Sequence, residues 1–541
     1  MLEALLTSLD MVATPSALGY MLIGVLLGLI VGLLPGLGGP VGLAVLLPFT
    51  FDMGAIDAFA FLLGMLSVTS TASDITAILF GVPGDSVSAA LVVDGHPMAK
   101  QGRVGLALGA SLSSSLLGAL IGAVALALAL PFLRPLVLSF GSPELFMLTI
   151  LGVTFVAALS EGALLKGLIA GGIGLIVSFV GMDSQSGIVR YAFDQLSLWD
   201  GVGLVAVAVG LFAVPELVDL AVSGRSIGES GQQAEEDADP AATGGQEDAD
   251  TGAAGATGGT APAAAHDPGP TATAVTDEGD LRGVVRGMQA TMQHWALMVR
   301  CSLIGVFVGI MPGLGGSVAQ WVSYAHAVQS SPRPEEFGTG RIEGVIGPGA
   351  ANNSKEGGSL IPTIAFGVPG SVTMAILLGA FLIQGLTPGP SMVGENLDLT
   401  MSFIWFIALA NVVAVGLCLI AIKPIAMTTK IRGSLLIAPI GLLVLVGAFA
   451  EKNAMIDVWI VLVFGLLGLV MHILEWPRPP LLLGLVLGGL AENYLFISIN
   501  RYGATWVTRP IVIGIGVLAL AAIVYPLVRG RASRRGLEGE A

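Results

Sequence analysis

The sequence predicts an all-α polytopic membrane protein made of two halves whose helices are interrupted in corresponding places. Only 11% of its 541 residues are charged, whereas soluble domains carry about 25%. Mean hydropathy is +0.87, and apolar runs of about 18 residues, long enough to cross a hydrocarbon core, recur along most of the chain. Two strings rich in glycine and proline also recur half a chain apart, in the same order. The first two observations exclude a soluble protein.

The apolar runs fall into two groups, which predict a first membrane repeat over 1–223 and a second over 286–529. Shorter apolar pieces at 77–92 and 318–329 border glycine and proline, so we expect half-helices or re-entrant segments there. The predicted spans are 17–34, 42–72 (a helix pair or one broken helix), 104–130, 143–160, 163–181, 201–222, 295–311, 359–385, 401–423, 434–450, 455–473, 480–498 and 510–528.

An acidic linker over 224–285 separates the two groups. Residues 224–280 hold twelve Asp and Glu and one Arg, and they contribute −11 to a net charge of −15. With almost no large apolar residue, this segment is predicted to be disordered. Arginines flank the linker, and four more lie at 529–535, before and within a tail at 530–541. Since arginine is retained on the cytoplasmic side, we expect linker and C-terminus there, in a multi-pass plasma-membrane protein.

Two motifs relate the halves to each other. VGLLPGLGGP at 31–40 returns as VGIMPGLGGS at 308–317, an offset of 277 residues. GVPGDSVSAAL at 81–91 returns as GVPGSVTMAIL at 367–377, an offset of 286. Interrupted hydrophobic segments at corresponding positions of two halves are typical of duplicated transporters, in which they meet at a central site.

The first motif is predicted to end a helix, form a loop and start a new helix. Pro35 removes a backbone donor, and Gly36 and Gly38 permit turns that other residues avoid. The amides that begin the new helix suit a carboxylate, and the carbonyls that end the old one suit Na⁺. A packing kink without a ligand is the alternative. The corresponding candidates in the second half are Pro312, Gly313 and Gly315.

The second motif places Pro-Gly before hydroxyl or acidic side chains at the start of the next helix. Such side chains either cap that helix or face a cavity, and the two roles are compatible. The candidate binding residues are Pro83, Gly84, Asp85 and Ser86 in the first half and Pro369, Gly370 and Ser371 in the second.

Three further polar residues lie between apolar runs. Asp74 is a lone acid, which is costly in a membrane and therefore a functional candidate, unless it ends a span and faces water. Asn352 and Asn353 belong to GPGAANNSKEGGSLIPT at 347–363, ahead of a predicted Gly-Gly break. Their amides can hold a carboxylate and a cation together. The alternative for this segment is a surface loop closed by a Lys–Glu pair.

Motifs for other chemistry are not found in the sequence. It contains no nucleotide-binding, metallopeptidase or serine-hydrolase motif, and its two cysteines lie in apolar runs without metal-ligand spacing. We therefore expect no enzyme, no cofactor and no bound metal beyond a transported Na⁺. An intramembrane enzyme or a passive channel are the rivals from other classes. Nucleic acid is not among the expected partners.

The chain resembles the large membrane subunit of the tripartite tricarboxylate transporter family along nearly its whole length, the linker excepted. The segments that carry this resemblance include LLPGLGG at 33–39, ITAILFGVPG at 75–84, LVVDGHPMAKQGRVGLAL at 91–108, GMDSQSGIVRYAF at 181–193, MPGLGG at 311–316, FGTGRIEGVIGPGAANNS at 337–354, LIPTIAFGVPGS at 360–371 and GLTPGP at 385–390.

The resemblance implies a secondary importer of citrate or other carboxylates, driven by a Na⁺ or H⁺ gradient. It implies two partners, a small four-helix membrane subunit and an extracytoplasmic solute-binding protein, and leaves a homo-oligomer open. It further implies inverted repeats that form a scaffold and a moving part, as in elevator-type carriers. Asp94 of the DG pair joins the binding candidates on this ground. A stand-alone ion-coupled organic-anion carrier is the alternative.

Three positions depart from the family pattern. The family usually has an acid where this chain has Gly349, Ser where Asp74 stands, and Asn where Gly81 stands. A carboxylate is thus lost in one half and gained in the other. Our hypothesis is that Asp74 takes over part of the cation or proton coupling.

Overall fold

The computed structural model describes residues 2–34, 38–81, 83–158, 164–183, 186–223, 279–312, 315–420 and 434–538. The helices of the first half are α1 (Leu2–Val12), α2 (Pro15–Gly32), α3 (Gly39–Leu46), α4 (Ala55–Phe80), α5 (Ala89–Lys100), α6 (Val104–Leu138), α7 (Ser142–Ala158), α8 (Leu164–Ser178) and α9 (Leu204–Ser223). Those of the second half are α10 (Gly279–Gln293), α11 (Trp295–Ile310), α12 (Gly315–Ser330), α13 (Glu343–Phe366), α14 (Val372–Ile383), α15 (Pro390–Val393), α16 (Leu397–Ile420), α17 (Ser434–Lys452), α18 (Met455–Ile473), α19 (Pro479–Tyr502) and α20 (Pro510–Glu538).

Short elements connect these helices. Single 3₁₀ turns lie at Leu47–Thr50, Ser86–Ser88, Leu196–Leu198, Pro334–Glu336 and Gly503–Thr508. The described strands, β1 (Gly181–Met182) and β2 (Val189–Arg190), form a small antiparallel hairpin between α8 and α9. Arg190 of the hairpin pairs with Glu492 of α19 through two hydrogen bonds of 2.7 and 2.9 Å. These bonds raise the pKa of the Arg190 guanidinium above its ordinary value.

Helices of membrane length confirm a polytopic membrane protein. In the described part of the chain, six helices are long and apolar enough to cross a bilayer, and α10 with α11, bent by 78°, would make a seventh. The six are Pro15–Gly32, Ala55–Phe80, Val104–Leu138, Leu397–Ile420, Met455–Ile473 and Pro479–Thr508. Six shorter apolar helices, such as Val372–Ile383, also lie within the described ranges.

Two helix pairs pack in the same way, α2 on α4 and α11 on α13. A β-carbon added at Gly28 of α2 would lie 3.0 Å from Cα of Met65, and one at Gly305 of α11 would lie 2.9 Å from Cα of Ala351. Small residues let helix backbones approach this closely, which is how membrane helices gain packing energy. Gly305 and Gly28 are separated by the motif offset of 277, and Ala351 and Met65 by the offset of 286.

The structure confirms the helix pair predicted over 42–72 and corrects one other span. The predicted span 42–72 is two helices, α3 and α4, separated by the turn at 47–54. The predicted span 359–385 is wrong as one crossing, because the chain breaks at 367–371, between α13 and α14. The remaining long spans coincide with helices to within about four residues in the described ranges, except that α6 ends at Leu138 and not at 130, and α20 at Glu538 and not at 528.

The predicted Gly-Gly break in the Asn-containing segment is also wrong, and so is its surface-loop alternative. All of 347–363 lies in the continuous, buried helix α13. A β-carbon at Gly357 would lie 2.8 Å from Cα of Gly122 on α6, and one at Gly358 would lie 2.9 Å from Cα of Val306 on α11. These glycines permit close contact on two sides of α13 and do not interrupt it.

The linker prediction lies mostly outside the described residues, but its end does not. Helix α10 begins at Gly279, inside the predicted linker 224–285, and packs on α6, where a β-carbon at Gly283 would lie 3.2 Å from Cα of Gly105. At the other end, α20 continues through the predicted tail as far as Glu538.

Candidate functional site

The two Pro-Gly motifs produce the same helix end in both halves. Helix α4 ends at Gly81 (φ 71°) and α13 at Gly367 (φ 66°), both in the left-handed conformation that favours glycine. A β-carbon at Gly84 would lie 3.2 Å from Cα of Ser73, and one at Gly370 would lie 2.8 Å from Cα of Ser359. In each case the β-carbon would also overlap the last turn of the helix that ends at the first motif, α2 or α11.

The break of each half lies against the other half. A β-carbon at Gly39, where α3 starts, would be 3.0 Å from Cγ2 of Thr373. A β-carbon at Gly316, where α12 starts, would be 2.8 Å from Cγ1 of Val87. Each contact joins the beginning of one restarted helix to the residues that follow the Pro-Gly break of the other half.

A buried polar cluster lies where α4, α12 and α13 meet. The carboxylate of Asp74, which is 0% exposed, accepts hydrogen bonds from Nδ2 of Asn352 (2.9 Å to each oxygen) and from Oγ of Ser88 (2.6 Å). Asn352 also donates to the carbonyl of Ser70 (3.2 Å). The side chains of Gln320 and Lys355 lie near the Asp74 carboxylate. The two sequence candidates Asp74 and Asn352, 278 residues apart, are therefore direct partners.

Asn353 extends the cluster to two more helices. Its Nδ2 donates to Oγ1 of Thr71 on α4 (2.7 Å) and to Oδ1 of Asn411 on α16 (2.6 Å). Thr71 in turn shares a hydrogen bond of 3.3 Å with Ser115 on α6. The network thus connects α4, α6, α13 and α16.

Several amide atoms in the cluster have no hydrogen-bond partner. They are Oδ1 of Asn352, Oδ1 of Asn353 and both polar side-chain atoms of Gln320. All three side chains are at most 1% exposed. Because an unpaired buried polar group is costly, these atoms would stabilise a polar ligand, an ion or water bound at this place. Amide and carboxylate oxygens together suit a hard cation.

Asp85 and Ser371 occupy corresponding positions but cap different helices. Oδ2 of Asp85 accepts from the backbone N–H of Gly39 (3.1 Å), so this carboxylate lies at the start of α3. A β-carbon at Gly38 would overlap the same carboxylate. Oγ of Ser371 accepts from the N–H of Met374 (3.3 Å), so it caps its own helix, α14. The capping alternative is confirmed for Ser371, whereas Asp85 lies at the start of α3 and does not cap the helix that follows it.

Asp94 lies in a separate hydrogen-bond network. Its Oδ1 accepts from the backbone N–H groups of Gly338 (2.9 Å), Gly340 (2.9 Å) and Arg341 (2.8 Å). Its Oδ2 accepts from the hydroxyl of Tyr324 (2.9 Å). These contacts tie α5 to α12 and to the loop before α13, and none of them reaches the Asp74 cluster.

The remaining candidates belong to the backbone breaks. Pro83 and Pro312 are half-buried beside the breaks, and Pro369 is buried. Gly315 begins α12, and Ser86 begins a 3₁₀ turn. Pro35, Gly36 and Gly313 lie outside the described residues.

Sequence reasoning missed four members of the cluster: Thr71, Ser88, Gln320 and Asn411. Gln320 carried a usable signal, because it is a polar residue in a short apolar piece that follows a glycine break. Lys355 belongs to the candidate segment 347–363 but was not named as a binding residue, and it is 4% exposed. Within the described ranges, no three His, Cys, Asp or Glu side chains lie close enough to hold a metal ion.

An all-α membrane chain in which two helix breaks face each other beside a buried polar cluster has the construction of a transport protein. The model of the tripartite tricarboxylate transporter TctA family matches residues 18–483, and the chain belongs to this family. Membership confirms the resemblance seen in the sequence. It makes the chain a membrane component of a tricarboxylate transporter, the large subunit of a tripartite system.

Two relatives from Agrobacterium vitis extend the comparison. An uncharacterized 52.8 kDa protein in the TAR-I ttuC' 3'region is 31% identical over 535 residues, 96% of this chain and 95% of the relative. An uncharacterized protein in the TAR-II ttuC' 3'region is 35% identical over 233 residues, 42% of this chain and 96% of the relative. No solved structure matches the chain.

Proposed function

We propose that the chain is the permease subunit of a solute-binding-protein-dependent secondary transporter that imports tricarboxylates or related carboxylates. A gradient of Na⁺ or H⁺ drives the uptake. The observation that carries this proposal is the buried cluster of Asp74, Asn352, Asn353 and Gln320, where unpaired amide atoms and a carboxylate lie between the two halves.

The coupling ion binds at the oxygen-rich side of this cluster. Oδ1 of Asn352 and Oδ1 of Asn353 have no hydrogen-bond partner, and the Asp74 carboxylate lies beside the first of them. A buried carboxylate must be neutralised by a cation or a proton, since an uncompensated charge inside a membrane protein is costly. Occupancy by the ion therefore lowers the cost of admitting an anionic substrate.

The two halves act as repeats around this site. The equivalent contacts of α2 with α4 and of α11 with α13 support this view, as does the reciprocal packing of Gly39 on Thr373 and of Gly316 on Val87. In an elevator-type or rocking cycle, one part of the protein moves against the other, and the site becomes exposed to the opposite side of the membrane. Inverted topology is part of the proposal.

The test is uptake by proteoliposomes. The chain is co-reconstituted with the small membrane subunit and the solute-binding protein, and uptake of acetate, succinate, malate and citrate is measured under an inward Na⁺ gradient and, separately, an inward H⁺ gradient. We expect saturable, gradient-dependent uptake of citrate or a related carboxylate that requires the binding protein.

Uptake that persists without the binding protein would favour the stand-alone carrier instead. Uptake that neither saturates nor depends on a gradient would indicate a passive channel. No uptake of any of the four carboxylates under either gradient would contradict the proposed function.

A further inference from the structure

Lys355 is unusual among the basic residues of this protein. Of the Lys, Arg and His side chains that the structure describes, it is the only buried one. A buried ammonium is costly unless an anion compensates it, and it offers three donors to that anion. A carrier of carboxylates needs such a group in its interior.

The partner of Lys355 in the structure is the adjacent Glu356. Its Nζ donates to Oε1 of Glu356, and Oε2 of Glu356 has no hydrogen-bond partner. Consecutive helical residues point in different directions, so this is not the geometry of a strong helical ion pair. Both side chains are buried, and a buried pair that is only half satisfied stabilises the fold poorly. Another carboxylate can therefore replace Glu356 as the partner of the ammonium.

The surroundings of Lys355 favour an anion. Its Cε would overlap a β-carbon at Gly316, in the first turn of α12, so the lysine reaches the N-terminal end of that helix. The N-terminus of a helix attracts negative charge. One turn further along α12, the fully buried amide of Gln320 has an unpaired donor in Nε2.

In the first half, a carboxylate lies at the helix start that corresponds to the start of α12. There, the carboxylate of Asp85 accepts a hydrogen bond at the start of α3, from Gly39. The counterparts of Gly39 and Asp85, at offsets of 277 and 286, are Gly316 and Ser371. Ser371 has no carboxylate and caps its own helix. The second half thus pairs a helix N-terminus with a lysine, where the first half pairs one with an acid.

We infer that Lys355, with Gln320 and the first turn of α12, binds one carboxylate group of the transported substrate. In the empty carrier, Glu356 holds the ammonium, and the substrate carboxylate displaces it. This inference rests on the proposed function and assigns the anion end of its site. The lysine then selects carboxylates, while Gly316 leaves the space that its side chain fills.

The experiment measures the apparent KM for [¹⁴C]citrate, or for whichever of the four carboxylates the wild type takes up, in the co-reconstituted proteoliposomes. The variants are Lys355→Met, Glu356→Gln and the double variant. Lys100→Met, at the exposed end of α5, is the control for loss of a lysine. We expect Lys355→Met to raise KM about 100-fold, because it removes a charged hydrogen-bond donor. Glu356→Gln should lower KM about fivefold, because it removes the competitor.

The double variant carries no buried charge at either position, so it tests the idea even if Lys355→Met alone does not assemble. We expect its KM to be as high as that of Lys355→Met, with unchanged elution in size-exclusion chromatography. A wild-type KM in Lys355→Met or in the double variant would overturn the inference while leaving the proposed function intact. A wild-type complex that takes up none of the carboxylates would overturn the proposed function itself.

Discussion

The two halves of this protein share a backbone plan but differ in the side chains at its centre. In both, a long helix (α4 or α13) packs closely on the helix before the first break (α2 or α11). It ends at a left-handed glycine and is followed by a Pro-Gly break. In the first half, the backbone carbonyl of Thr69 on α4 lies against Gly32. In the second half, the carbonyl of its counterpart Lys355 on α13 lies against Gly309 in the same way. One position therefore carries a hydroxyl in one half and the buried lysine in the other.

The comparison separates the residues that determine helix packing from those that determine the chemistry of the site. Glycine contacts reproduce the helix crossings in both halves, because any side chain there would collide with a backbone. The acid and the amide of the cluster do not repeat: the counterparts of Asp74 and Asn352 are Leu360 and Leu66. The cluster is thus asymmetric, with the acid on α4 and the lysine and the amides on helices of the second half. We expect symmetric substitutions to have symmetric effects only at the glycines.

The largest effect should come from filling the helix crossings. Gly28→Leu and Gly305→Leu each force a side chain into the facing backbone, so we expect the free energy of unfolding to fall by at least about 3 kcal/mol in both. Thermal unfolding followed by size-exclusion chromatography measures this. Gly19→Leu, in α2 with nothing within 4 Å of its β-carbon, is the control. If one of the two variants stayed folded while the other unfolded, the two helix crossings would not be equivalent.

The next effect concerns the acid that only the first half has. Asp74→Asn removes the carboxylate that faces Asn352, so no charge remains there to compensate a cation or accept a proton. We expect gradient-driven uptake in proteoliposomes to fall about 100-fold with the fold intact. Asp57→Asn, in the first turn of the same helix, should transport normally. Unchanged uptake by Asp74→Asn would remove Asp74 from the coupling mechanism.

A smaller effect should follow when the second half is given the acid of the first. Ser371→Asp places a carboxylate at the counterpart of Asp85, where it competes with substrate for the start of α12. We expect the apparent KM to rise about tenfold. Ser371→Asn is the matched control, since Asn caps a helix equally well without the charge. Equal KM values for the two variants would argue against the correspondence.

The smallest effect on transport should come from Asp94. Its carboxylate oxygens already accept four hydrogen bonds, three from backbone N–H groups, so Asp94→Asn should lower the free energy of unfolding by about 2 kcal/mol and leave KM unchanged. Thermal unfolding and uptake kinetics measure the two quantities. Asp398→Asn, at the exposed start of α16, is the control. A raised KM at normal stability would instead support the substrate-binding role that the resemblance implied.

The backbone breaks could be predicted from sequence because proline and glycine act locally. Pro-Gly at 83–84 and 369–370 indicated a helix end by its own chemistry, and both ends are present. The same reasoning failed at Gly357 and Gly358, where the glycines serve contacts with α6 and α11. Local propensity does not reveal whether a glycine loosens a helix or lets another helix approach it.

The site could be predicted only as separate pieces. Asp74 and Asn352 were each chosen for being polar in an apolar setting, but nothing local indicates that they hydrogen-bond across 278 residues. Gln320 and Ser88 join them through tertiary packing alone. For Lys355, a surface loop closed by a Lys–Glu pair remained an alternative, because its burial comes from the helices packed around α13 and not from its own segment.

The most direct test is a cryo-EM structure of the reconstituted complex with citrate, or the carboxylate that it takes up, and the coupling ion. The account predicts substrate density between Lys355 and the start of α12, with Glu356 displaced from the lysine, and the Asn352 and Asn353 amide oxygens beside the ion. Substrate density elsewhere in the chain, with Lys355 still paired to Glu356, would contradict the account.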